Sequence, residues 1–174
     1  MDLNKLTIGD RVVAISAILF LIFMFFPWYG FDESGVSGND NGFEYFLAGW
    51  LPLLLAIVMV VQIAITRFGS TALPRPGPLT WGQVHLAAGA LAAVILLLRV
   101  LIPSDIDNVF GGDFELDRKF GVFLAFLATL GLAAGGFLKT QEPETAGPPR
   151  GGPAGGPPPP PPPPSAPPPP PPTA

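Results

Sequence analysis

One arginine, Arg99 in LLLRVLIP, lies inside an otherwise apolar run that Pro103 closes four residues later. A charge at membrane depth is costly and marks a functional candidate. A structural ion pair with Glu44, Asp105 or Asp107 is the favoured reading, because it relieves the charge. Gating of a ligand is a second. A third is snorkelling along the side-chain stem to the nearby interface. Snorkelling is disfavoured because helical side chains lean toward the helix N-terminus, away from the interface nearest Arg99.

The segment Asp105–Asp117, DIDNVFGGDFELD, gathers carboxylates of the kind that suit a hard cation such as calcium. The EF-hand spacing is not met: Val109 holds the fifth position, and Gly111 and Gly112 fall at the seventh and eighth. A solvated acidic loop is the better account. His85 is the only histidine and there is no cysteine, which excludes disulfides, thiolate sites and histidine clusters for a metal. A proton relay through His85 needs a carboxylate at membrane depth, and none of the four apolar runs contains one. Interface placement and interhelical hydrogen bonding account for His85, Gln83 and Gln62. No Ser/His/Asp set, phosphate loop or paired buried carboxylate appears, so neither catalysis nor a cofactor is expected.

The elements that must position these residues follow from composition. The chain has 174 residues, 49% of them hydrophobic and only 13% charged, with a mean hydropathy of +0.48. That charged fraction is about half the roughly 25% of a soluble domain and points to a membrane protein. A net charge of −4 without a basic stripe argues against nucleic acid as a partner. Four apolar runs, 12–29, 46–66, 81–102 and 120–138, read as transmembrane helices. The expected fold is an all-α membrane protein: a four-helix transmembrane bundle over 1–139 with a disordered polyproline tail over 140–174. The first run is longer than the h-region of a signal peptide and ends in Pro27-Trp28-Tyr29 without a small-residue cleavage site, so it reads as a retained span. Thr7-x-x-Asp10 and Thr80-x-x-Gln83 have capping-box spacing and predict helix starts at about Ile8 and Trp81.

Orientation follows from lysine and arginine. The N-terminus (Lys5, Arg11), the middle loop (Arg67, Arg75) and the tail (Lys139, Arg150) hold six, against Arg118 and Lys119 in the other two loops. Both termini are therefore expected on the cytosolic side of the plasma membrane. Trp28, Tyr29, Tyr45 and Trp50 would form an outer aromatic belt, with Trp81 at the inner interface. Gly131 and Gly135 make a G-x-x-x-G, and Gly121, Ala125 and Ala128 continue a small-residue face. Such a face permits close helix approach, here expected between the third and fourth spans rather than in a homodimer, with Ala88, Gly89, Ala92 and Ala93 opposite. The tail holds eighteen prolines, including the runs 157–164 and 167–172, and should be a polyproline II rod. Arg150-Gly-Gly-Pro153 opens like an SH3 ligand but breaks at Gly156.

The opening KLTIGDRVVAISAILFLIFMFFPWYG resembles the start of small uncharacterised four-span membrane proteins of high-GC Gram-positive bacteria. The resemblance implies a bacterial plasma membrane and four helices, and carries no activity. Claudin-like proteins need a cysteine pair, and small multidrug transporters an acid in the first span; this chain has neither. The leading expectation is a non-enzymatic anchor or scaffold that presents a cytosolic polyproline arm. Its partners would be the lipid bilayer, other membrane proteins or a polyproline binder, in an oligomeric state the sequence leaves open. The alternative is a transport or sensing subunit that uses Arg99 and the acidic outer loops on a cation or cationic ligand.

Overall fold

A computed structural model describes residues 5–33, 36–69, 73–74, 76–102 and 117–142. The chain is mostly helical, with four helices in alternating directions: α1 (Ile8–Phe23), α2 (Leu51–Phe68), α3 (Trp81–Leu101) and α4 (Phe120–Gln141). Three helical stretches are long and apolar enough to cross a membrane: Phe46–Phe68 with 23 residues, Trp81–Leu101 with 21 and Phe120–Gln141 with 22. Both capping boxes form as the spacing predicts. Thr7 Oγ1 accepts from Asp10 N–H and Asp10 Oδ2 from Thr7 N–H, each at 3.2 Å. Thr80 and Gln83 make the same reciprocal pair at 2.9 and 3.2 Å.

The first run differs from its expected form. Helix α1 has 16 residues, about 24 Å at ~1.5 Å per residue, and stops at Phe23 instead of continuing to Tyr29. Its last turn tightens, with Phe25 N–H donating to Ile22 O and Phe26 N–H to Phe23 O. Pro27 then disfavours helical backbone at Phe26. The freed carbonyls find other donors: Trp28 Nε1–H to Phe23 O at 2.9 Å and Gly42 N–H to Met24 O at 2.9 Å.

The fold is also not all-α. Pro27–Glu33 forms β1, Val36–Asn41 forms β2 and Asp117–Arg118 forms β3, in an antiparallel sheet ordered β2-β1-β3. Tyr29 pairs with Asp40 on one side and Arg118 on the other. Trp28 and Tyr29 are fully buried, so they do not belong to an interfacial belt. They close one end of the bundle together with Phe20, Met24, Leu53, Leu96 and Val122. Trp50 does stay exposed, donating its indole N–H to Phe43 O at 3.0 Å. Between β2 and α2 lie a 3-10 turn at Gly42–Glu44 and one turn of π-helix at Phe46–Trp50.

Large apolar side chains point outward on every helix, Ile15 and Ile18 on α1, Val58 on α2, Val94 on α3 and Leu127 on α4 among them. Inside, backbones approach at glycines. A Cβ at Gly89 would lie 2.6 Å from Ala133 N, and one at Gly136 2.5 Å from Leu86 N. Helices α3 and α4 do pack closely, but not through the expected face. Gly121 meets Pro27 O, Gly131 meets the Ser16 side chain and Gly135 meets Val13, so that face of α4 serves α1 and β1. Ala125 and Ala128 lie buried on it, in the cluster that holds Phe20 and Trp28. The small residues run along more than half of α4's circumference, which lets both neighbours come close.

Candidate functional site

Two polar clusters stand out, one at each end of the bundle. At the sheet end, the Arg99 guanidinium lies 4.6 Å from the Tyr29 ring centroid and 4.2 Å from that of Tyr45, within cation–π range of both. Tyr29 donates its hydroxyl to the Arg99 carbonyl at 2.7 Å. Tyr45 donates to Asp40 Oδ2 at 3.0 Å and stacks on Trp28, with centroids 6.1 Å apart and planes 8° from parallel. Among the described residues no ion pair joins Arg99 to Glu44. The Glu44 carboxylate instead accepts the N–H of Asn41 and caps the 3-10 turn. Asp105 and Asp107 lie outside the described residues. Among the described residues Arg99 reaches acidic charge through an intermediary: ring face to guanidinium, hydroxyl to Asp40.

Both phenols titrate above their ordinary range. Burial is the larger cause at Tyr29, opposed by Arg99 and Arg118. At Tyr45 burial comes first, the adjacent Asp40 charge adds to it, and Arg99 opposes. Both rings therefore remain neutral at ordinary pH, and quadrupole attraction rather than a tyrosinate holds Arg99.

At the opposite end lies a cluster that the sequence did not reveal. Asp10 is completely buried. Its Oδ2 meets Arg67 Nε at 2.6 Å and its Oδ1 meets Lys139 Nζ at 2.6 Å. Glu142 completes the set: Oε1 accepts Gly9 N–H at 2.9 Å and Oε2 lies 3.9 Å from Arg67 Nη2. Two carboxylates and two cations from α1, α2, α4 and the residue after α4 form a neutral, cross-linked group. It joins the start of α1 to the ends of α2 and α4. The available signal was Asp10 in place of the usual glutamate at a capping box, with Arg67 and Lys139 each near the end of a helix bound for the same face. Their shared partner lies 57 and 129 residues away along the chain, beyond the reach of local spacing.

One or two turns further in, His85 is 1% exposed and Gln62 6%. Both side chains are buried within the bundle. Neither ring nitrogen of His85 nor Oε1 of Gln62 has a hydrogen-bond partner among the described residues. The described residues contain no group of three metal-ligating side chains. Among the described residues of the two clusters one side-chain hydroxyl donates to a carboxylate, that of Tyr45 to Asp40. Their chemistry is charge pairing and hydrogen bonding between elements. Comparison with protein-family models, curated proteins and solved structures found no match.

Proposed function

We propose that the chain is a non-enzymatic plasma-membrane scaffold. In this reading α1 is a fourth, short membrane helix, both termini lie in the cytosol, and the bundle holds out the proline-rich tail, expected over 140–174 but starting only at 143 because α4 continues to Gln141, as a stiff arm. One observation carries the reading: the ion cluster fixes Glu142, the residue just before that segment, to the start of α1 and the end of α2. An anchor needs a rigid exit point for its arm, and a carboxylate held by a backbone N–H and close to a guanidinium supplies one. The outward apolar residues on α1 support its immersion, and the resemblance of the opening segment supports a bacterial membrane. The transport reading has less support, because Arg99 is covered by two aromatic rings.

The test is affinity capture from native membranes with the full chain and with a version ending at Pro143, which keeps Glu142. Loss of a defined partner set with the arm supports the scaffold. Partners that persist without the arm overturn it. Cysteine labelling from each side of sealed vesicles, in a chain that has no cysteine of its own, checks that both termini share the cytosolic face.

A further inference from the structure

We propose that α2 is a latched helix that opens the bundle at the end opposite the sheet, pivoting near Phe46–Trp50, released at Arg67, and admitting water to Gln62 and His85. The other three helices are fastened backbone to backbone. Gly82 and Gly89 of α3 and Gly136 of α4 bring α3 onto α4, while Gly9 and Gly135 bring α1 onto α4. Helix α2 has no glycine between Leu51 and Phe68. It is held instead by side chains, Ala56, Met59 and Ile63 against Val13, Ala17 and Leu132. Packed side chains can separate and re-form without breaking a backbone interlock, so α2 is the helix best able to move.

Its two ends suit a pivot and a latch. The sheet end begins in a π-turn, where Gly49 N–H and Trp50 N–H both donate to Tyr45 O, and Pro52 then supplies no N–H to the turn before it. Irregular turns of this kind are where helices bend. The far end is held by Arg67 on Asp10, with Glu142 and Thr7 beside it, and the Arg67 side chain is 20% exposed. The latch therefore sits at the rim, where solvent reaches it.

The unpartnered polar atoms give the motion a reason. A buried polar group without a hydrogen bond costs stability, and water recovers that cost once it enters. Gln62 on α2 and His85 on α3 both carry this cost in the closed bundle. Swinging the Arg67 end of α2 away from α1 and α4 opens the bundle to water at both, which offsets the apolar packing given up around Ile63. The closed state is then poised, with the Arg67–Asp10 pair deciding the balance. This inference does not depend on the arm or its partners.

The absence of native cysteine makes the test direct. Full-length protein in nanodiscs carries Ile63→Cys on α2 or Ala125→Cys on the α4 face toward α1, each with or without Arg67→Gln, and the rate of reaction with a membrane-impermeant maleimide is measured. Arg67→Gln should raise the rate at position 63 at least tenfold and leave position 125 unchanged, and Arg67→Lys should keep position 63 slow. Equal acceleration at both positions means general loosening and overturns the proposal, as does no change at position 63. Should Ile63→Cys fail to fold, spin labels at the exposed positions Ile65 and Phe137 give a second reading. Their separation should lengthen in Arg67→Gln, and an unchanged distance overturns the latch.

Discussion

Replacing Asp10 with alanine removes the one carboxylate that two cations share. Lys139, whose side chain is 9% exposed, and Arg67, at 20%, would both lose a 2.6 Å partner. Breaking a buried ion pair from one side costs ~3–5 kcal/mol, because the remaining charge stays desolvated. Here the lower end applies. Arg67 keeps Glu142 at 3.9 Å, and both stems can bend their charges outward. Loss of the Thr7 N–H acceptor adds a smaller cost. At ~1.4 kcal/mol per tenfold change, a loss of about 3 kcal/mol lowers the folded-to-unfolded ratio by roughly two orders of magnitude. The assay is reversible unfolding in mixed micelles of rising dodecyl sulfate fraction, followed by tryptophan fluorescence; Trp28 is fully buried and should report the transition. Asp10→Asn combined with Lys139→Met should cost clearly less than the sum of the two single changes, since the pair is then replaced rather than broken. A loss below ~0.5 kcal/mol, the range of ordinary surface substitutions, refutes the claim that Asp10 is a buried counter-ion. Strict additivity of the double variant refutes the coupling to Lys139.

Four further outcomes rest on the same structure. Gly89→Val should destabilise by ~1–3 kcal/mol in that assay, because its Cβ meets the Ala133 backbone rather than a side chain that can turn away. Ala90→Val, on the exposed side of α3, should be nearly silent, and equal effects would refute the close approach. Tyr29→Phe removes the 2.7 Å bond to the Arg99 carbonyl and should cost ~0.5–1.5 kcal/mol. Arg99→Lys should be less stable than wild type, because an ammonium cannot lie flat between two rings; a stability equal to wild type counts against the aromatic cage. Tyr29 and Tyr45 are the chain's only tyrosines, so phenolate absorbance reads them alone. Both are raised in the fold, so the unfolded chain releases these protons first. Their contribution to stability is complete below about pH 10 and is lost as pH rises past the unfolded value. Ionisation of either phenol at or below pH 10 in the folded protein would refute their burial.

Helix starts were the most legible feature of the chain. Thr7 and Thr80 act within four residues of sequence, and local hydrogen bonds of that kind need no tertiary partner. The end of α1 was less legible. An apolar run carries no mark of where a helix gives way to a strand when both are buried, and Trp28 and Tyr29 satisfy a core as readily as an interfacial belt. The surroundings of Arg99 among the described residues were illegible for a related reason. Charge alone directs attention to Glu44, but the pairing of β1 with β2 sets Asp40 opposite Tyr29, and Tyr45 is placed by the turn that follows.

The sequence by itself determined the apolar helices, the capped starts of two of them and the small-residue surface of α4, because each depends on composition or on spacing within a turn. Only the tertiary structure decided which neighbour each glycine admits. It alone brought Asp10, Arg67, Lys139 and Glu142 together from positions up to 132 residues apart. An ion pair's worth depends on how far its members are withdrawn from water, and that depth is a property of the assembled bundle, not of any segment of it.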